Sequence, residues 1–238
     1  VYWLKVYQIP LAGRNSRGRP MVNLLPLEEG ERVTSIMPVE EYTEGYFIFM
    51  ATANGTVKKT ALTDFARQRS VGLRALELED GDVLVATAIT RGDCDVMLFS
   101  SEGKAVRFQE SDGRPMGRTA RGVRGIRLGQ GHRMISLIIP RAGGKVLSVS
   151  ENGYGKRTAI EEFPTKGRGN KGVIAMSTSK RNGKLVGAVQ VFEGDELMLI
   201  SNQGTMVRTR TDEVSVLGRN TQGVRVIRTK EGETLVGV

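Results

Sequence analysis

Four short apolar runs recur along the chain: FIFMATA, VMLFS, KVLSVS and LMLIS. Each is closed by a glycine turn, ANG at 53–55, SEG at 101–103, ENG at 151–153 and NQG at 202–204. Runs of this length bounded by glycine predict strands, and Asn-Gly favours a tight hairpin. A second strand leaves each turn carrying cations: Lys58 and Lys59, Arg107, Lys156 and Arg157, and Arg208 with Arg210. A Gly-Arg loop follows, then a third strand such as GVRGIRL or GVRVIR. A polar glycine turn and a fourth strand such as MISLII or LVGAV complete the unit. Helical periodicity is weak throughout. Four short strands in a unit of about fifty residues are the pattern of a propeller blade, so the chain is predicted to be all-β.

The unit repeats. Gly72, Gly122, Gly172 and Gly223 close successive basic loops at intervals of fifty or fifty-one residues, with Gly18 as an earlier copy. The hairpin glycines keep the same beat, as do Gly30, Gly81, Gly131, Gly183 and Gly232 in the second polar turn. Three markers in one period predict a radial array within a single domain, with repeats near 1–40, 45–90, 94–140, 144–192 and 195–238. The first repeat lacks its opening strand, so four full blades and one truncated blade are expected, with the parent chain continuing N-terminally.

Charge sharpens this picture. The formal net charge is +9, and the cations are unevenly placed. Five loop regions, 14–19, 67–74, 114–124, 166–171 and 219–228, hold sixteen of the thirty-five Lys and Arg residues and no Asp or Glu. The rest of the chain is net acidic. The candidate phosphate contacts in these loops are Arg14, Arg17 and Arg19, then Arg67, Arg69 and Arg74. Arg114, Arg118, Arg121 and Arg124 follow, then Lys166, Arg168 and Lys171, and finally Arg219 and Arg225. The cations on the second strands join them. In a radial array these groups form a curved positive track suited to a nucleic-acid backbone. Aromatic residues are 5% of the chain and do not interleave the arginines, which favours duplex DNA over single strands or RNA. Phe65 and Phe163 are read as packing residues.

Catalytic signatures are missing. The sequence has no GxxxxGK(S/T), HExxH or CxxC, and its one cysteine, Cys94, excludes an internal disulfide. His132, the only histidine, sits in a turn. Tyr154 in ENGYGKR occupies only one of four equivalent turns and is read as packing rather than as a nucleophile. No metal or cofactor is expected, and nothing at the N-terminus resembles a signal peptide, so the cytoplasm is the expected location.

These stretches resemble the C-terminal domain of the DNA gyrase A subunit, in its proteobacterial form. The resemblance runs through VYQIPLAGRNSRGRPMVNLLPLEEGER, FMATANGTVKKTALTDF, VMLFSSEGKAVRF, ENGYGKRTAIEEFPTK and LGRNTQGVRVIR, covering essentially the whole chain. It implies a six-bladed β-pinwheel whose blades exchange strands. It also implies duplex DNA wrapped around the rim in support of ATP-driven negative supercoiling, with the remaining gyrase A domains and the gyrase B protein as partners. The catalytic tyrosine and ATP site are expected outside this chain. The family's hallmark Gln-Arg-Arg-Gly-Gly-Lys-Gly box is absent, and Lys171-Gly172 matches its end, so blades two to six are expected. A topoisomerase IV C-terminal domain that guides DNA is the alternative, and a protein-interaction propeller a more distant one.

Overall fold

The computed structural model describes residues 1–13 and 15–238; Arg14 lies outside the described residues. After two short 3-10 turns, Val6–Gln8 and Met21–Asn23, fifteen strands follow. They are β1 (Phe47–Thr52), β2 (Thr56–Ala61), β3 (Leu84–Thr90), β4 (Asp95–Ser100) and β5 (Lys104–Gln109). Next come β6 (Val123–Arg124), β7 (Met134–Ile138), β8 (Lys145–Ser150), β9 (Tyr154–Ala159) and β10 (Val173–Ile174). The last are β11 (Leu185–Val191), β12 (Glu196–Ser201), β13 (Met206–Arg210), β14 (Val224–Arg225) and β15 (Leu235–Gly237). All named pairs are antiparallel.

Sheet order shows how the repeats interlock. The sheets run β3-β1-β2-β6, β7-β4-β5-β10, β11-β8-β9-β14 and β15-β12-β13. The outermost strand of each of the first three comes from the Gly-Arg loop of the following repeat. Val123 and Arg124 pair with Val57 and Thr56, and Val224 and Arg225 with Gly155 and Tyr154. The third strand expected within each unit is therefore a two-residue strap across the preceding sheet. Its backbone donors must be satisfied somewhere, and the open edge of the previous hairpin supplies the partners.

Alternation along the central strands explains why the apolar runs are continuous. Phe49 and Ala51 of β1 pack against Val96 and Leu98 of β4, while Met97 and Phe99 pack against Val146 of β8. Leu147 and Val149 in turn meet Leu197 and Leu199 of β12. Each inner strand buries both faces between neighbours, so both side-chain registers must be apolar. Phe65 and Phe163 are buried here, as packing residues.

The ends of the array differ. Trp3, Met37, Val39, Tyr42 and Tyr46 cover the outer face of the first sheet over Ile48, Met50 and Phe65. This N-terminal segment caps that sheet without any strand among its described residues. At the other end β12 alternates, with Leu197 and Leu199 buried and Met198 and Ile200 exposed.

Candidate nucleic-acid interface

Each Gly-Arg loop is held from beneath. Its closing glycine, Gly122, Gly172 or Gly223, has φ of 108°, 75° or 77°. A Cβ at Gly172 would lie 2.3 Å from the Ala105 carbonyl oxygen of the sheet below. Only glycine tolerates both the left-handed backbone and that approach. The glycine thus serves contact with the neighbouring sheet. The opening glycines Gly117 and Gly167 face open space and need no such explanation.

Lysines complete the support under two loops. Lys58 Nζ donates to the carbonyls of Ala75 (2.7 Å), Arg118 (2.6 Å) and Ala120 (3.0 Å). Lys156 Nζ donates to the carbonyls of Gly218 (2.6 Å) and Arg219, and to Thr221 Oγ1 at 3.2 Å. Burial pulls both amines down to about 8. Asn170 ties the loop between them internally, accepting from Gly172 N–H at 2.6 Å and donating to the Gly167 carbonyl.

The second-strand cations are corrected by this geometry. Lys58 is 2% exposed and Lys156 fully buried, so neither can reach a phosphate. Their neighbours are spent on the next repeat. Lys59 donates to the Glu110 carbonyl at 3.1 Å, Arg107 to those of Ile160 and Phe163 at 3.1 and 3.2 Å, and Arg157 to that of Val214 at 2.8 Å. Arg107 also binds Asp95, and Arg157 binds Asp212. These positions point into the cleft between sheets, where a 3-10 turn presents carbonyls that need donors. Arg208, the counterpart on β13, stays exposed on Glu196, and exposed Arg210 lies 4.0 Å from Asp212.

The loop cations lie as the repeat requires. Arg17, Arg19, Arg67, Arg69, Arg74, Arg114, Arg121, Arg124, Lys166, Lys171 and Arg225 are exposed. Arg121 has Glu77 at 3.3 Å, with both side chains largely solvated. Arg118, Arg168 and Arg219 are half-buried. Arg168 NH1 donates to the Arg124 carbonyl at 3.1 Å, and Arg219 NH1 to that of Ile174 at 2.9 Å. Further bonds join Gly169 N–H to the Gly125 carbonyl and Arg127 N–H to that of Asn170. In the last two loops the Gly-Arg arginine therefore stitches its own loop to the preceding strap. The last three loops thus form a joined row of backbone with exposed guanidinium and ammonium groups along it.

One cation, Arg181, lies outside every loop counted from sequence, yet it meets Arg225 of the last loop. Arg181 Nε and Arg225 NH2 both donate to Tyr154 Oη, at 3.2 and 2.9 Å, and both guanidiniums sit about the same ring at 5.1 and 5.2 Å. Tyr154 is buried, as a packing residue should be, but its hydroxyl gathers two arginines. The signal available in sequence was the turn KRNGK, whose counterpart EDGD is acidic.

Comparison with known proteins matches this architecture. The family described as DNA gyrase C-terminal domain, beta-propeller, matches residues 1–40, 46–91, 95–141, 144–191 and 195–238. The DNA gyrase A subunit of Salmonella typhimurium is 59% identical and that of Escherichia coli 58%, each over the full 238 residues. The chain spans 27% of the length of these relatives. A solved DNA gyrase A C-terminal domain superposes with a TM-score of 0.84 at 28% identity, covering 99% of this chain and 76% of that one. The C-terminal domain of a DNA topoisomerase IV shares the fold, with a TM-score of 0.89 at 23% identity over 98% and 73% of the two chains. Five matched segments, four of them carrying strand-exchanging or edge sheets, establish that the chain belongs to the DNA gyrase C-terminal domain family, a beta-propeller.

Proposed function

We propose that this domain holds duplex DNA by its phosphates, bends it around the loop row without sequence preference, and serves as the DNA-binding accessory part of DNA gyrase. The observation that carries this reading is the stitched row of acid-free loops. Its fixed backbone places free cations at successive sheets, where a curved polyanion meets them in turn. Identity of 58–59% to DNA gyrase A proteins favours gyrase over topoisomerase IV as the setting. In the whole enzyme the bent segment contributes to ATP-driven negative supercoiling. The remaining gyrase A domains and the gyrase B protein are the partners, the reacting tyrosine and ATP site lie in those parts, and the location is the cytoplasmic nucleoid. Phosphate contacts of this kind need no cofactor.

Salt titration tests it. With about half of the free loop cations on phosphates, log K against log[salt] falls with a slope of about −5. Unrelated duplexes give the same slope. A slope shallower than about −2 rejects the joined row.

A further inference from the structure

The second polar turn changes sign along the array. Around Gly81 it carries Glu79, Asp80 and Asp82, and around Gly131 it carries His132 and Arg133. Around Gly183 it carries Lys180, Arg181 and Lys184, while Glu231 and Glu233 flank Gly232. Only the third sheet, among the described residues, presents a turn with three cations and no acid.

This turn is built into the loop row. Ser177 N–H donates to the Thr221 carbonyl at 3.0 Å, and Ser179 Oγ to Gln222 Oε1 at 3.3 Å. The fully buried Asn182 donates from Nδ2 to the Ser177 and Gln222 carbonyls, at 2.8 and 3.3 Å. The turn is thereby fixed against loop 218–223, beside Arg219 and Arg225.

Tyr154 then orders the charges. A guanidinium has five N–H donors, and Arg181 and Arg225 each spend one on the phenol oxygen. Among the described residues neither makes an ion pair. Glu151, in the hairpin turn between β8 and β9, accepts from Lys184 N–H at 2.9 Å. Tyr154 Oη accepts both bonds, which holds the two guanidiniums side by side over a buried ring. Its hydroxyl is also made more acidic by the two arginines. At the matching strand positions of the first two sheets stand Thr56 and Lys104, and the counterparts of Arg181 are Glu79 and Gly129.

We propose that Arg181 and Arg225, gathered by Tyr154 and flanked by Lys180 and Lys184, form a second phosphate site that binds the duplex DNA backbone at the third sheet only. It widens the contact there beyond the single row and rests on the DNA-backbone reading above. Stacking and hydrogen bonding hold the guanidiniums before the ligand arrives, so little side-chain freedom is lost on binding. An asymmetric second contact also gives the row a preferred place to grip.

The test compares salt slopes of duplex binding for the wild-type chain, Arg181→Ala, Tyr154→Phe and the double variant Arg121→Ala/Arg124→Ala. Arg181→Ala is expected to weaken binding about tenfold and to shallow the slope by about one unit, with melting unchanged because the side chain is exposed. Tyr154→Phe keeps the ring and should lose affinity in the same direction. If Arg181→Ala binds like wild type while Arg121→Ala/Arg124→Ala loses slope, the second site is overturned and the loop row stands. If the wild-type chain shows no salt-dependent binding, both readings fall. If Tyr154→Phe loses affinity only in step with its melting temperature, the Arg181→Ala result decides.

Discussion

Replacing Lys58 with methionine keeps an unbranched side chain one atom shorter and removes its charge and three donors. The carbonyls of Ala75, Arg118 and Ala120 then lose their shared partner beneath the 117–122 loop. Hydrogen bonds from a charged donor contribute about 1.5–3 kcal/mol each, or about 5–9 kcal/mol for three. Burial of the ammonium takes part of this back. Its fall from 10.5 to about 8 corresponds to about 3 kcal/mol. The variant is therefore expected to be about 2–6 kcal/mol less stable at pH 7, with faster amide exchange in residues 117–122. The pH dependence has a definite sign. Below pH 8 native and unfolded chains both keep the proton, and the burial cost is fully present. Between pH 8 and 10.5 only the unfolded lysine binds it, so wild-type stability rises with pH. At pH 9.5 the gap between wild type and Lys58→Met should exceed that at pH 7 by about 2 kcal/mol. Urea unfolding at the two pH values measures both quantities. Equal stability at pH 7 would refute the role of Lys58 as a support, and a gap that does not widen would refute the lowered amine.

Gly172→Ala should destabilise the chain by more than about 1 kcal/mol, read by thermal melting, because φ is 75° and the new Cβ meets the Ala105 carbonyl. Gly167→Ala, which meets nothing, should leave melting unchanged within about 0.5 kcal/mol. Cys94, pushed up to about 12 by burial and by its hydrogen bond to Glu110, should alkylate at pH 8 more than about a hundredfold slower than a free thiol, followed by mass spectrometry. Energy-transfer labels on the two ends of a duplex should approach each other on binding, more so as the DNA lengthens. Bending of 40–90° costs on the order of 1–6 kcal/mol, which the extra contacts must offset; unchanged transfer would leave a straight-binding domain.

The fifty-residue beat and the apolar runs were legible without coordinates, because each repeat must bury the same strands against the same neighbours. Glycine spacing located the loops for the same reason: Gly122, Gly172 and Gly223 meet identical constraints of φ and backbone approach. The exposed loop cations followed from composition alone, since acid-free segments stand out against an acidic remainder. What the sequence could not separate was the use of each cation. Lys58 and Arg124 are both basic and both near a Gly-Arg loop, yet one is 2% exposed and the other free in solvent. That division depends on which repeat's carbonyls fall above each strand. Strand exchange decides it by moving every loop onto the sheet before its own. Tyr154 makes the same point. Local sequence marks it as packing, but its hydroxyl meets Arg181 and Arg225 only because the turn before β11 and the strap β14 converge on β9. Contacts between residues tens of positions apart are set by how the sheets stack, and periodicity within one repeat carries no record of them.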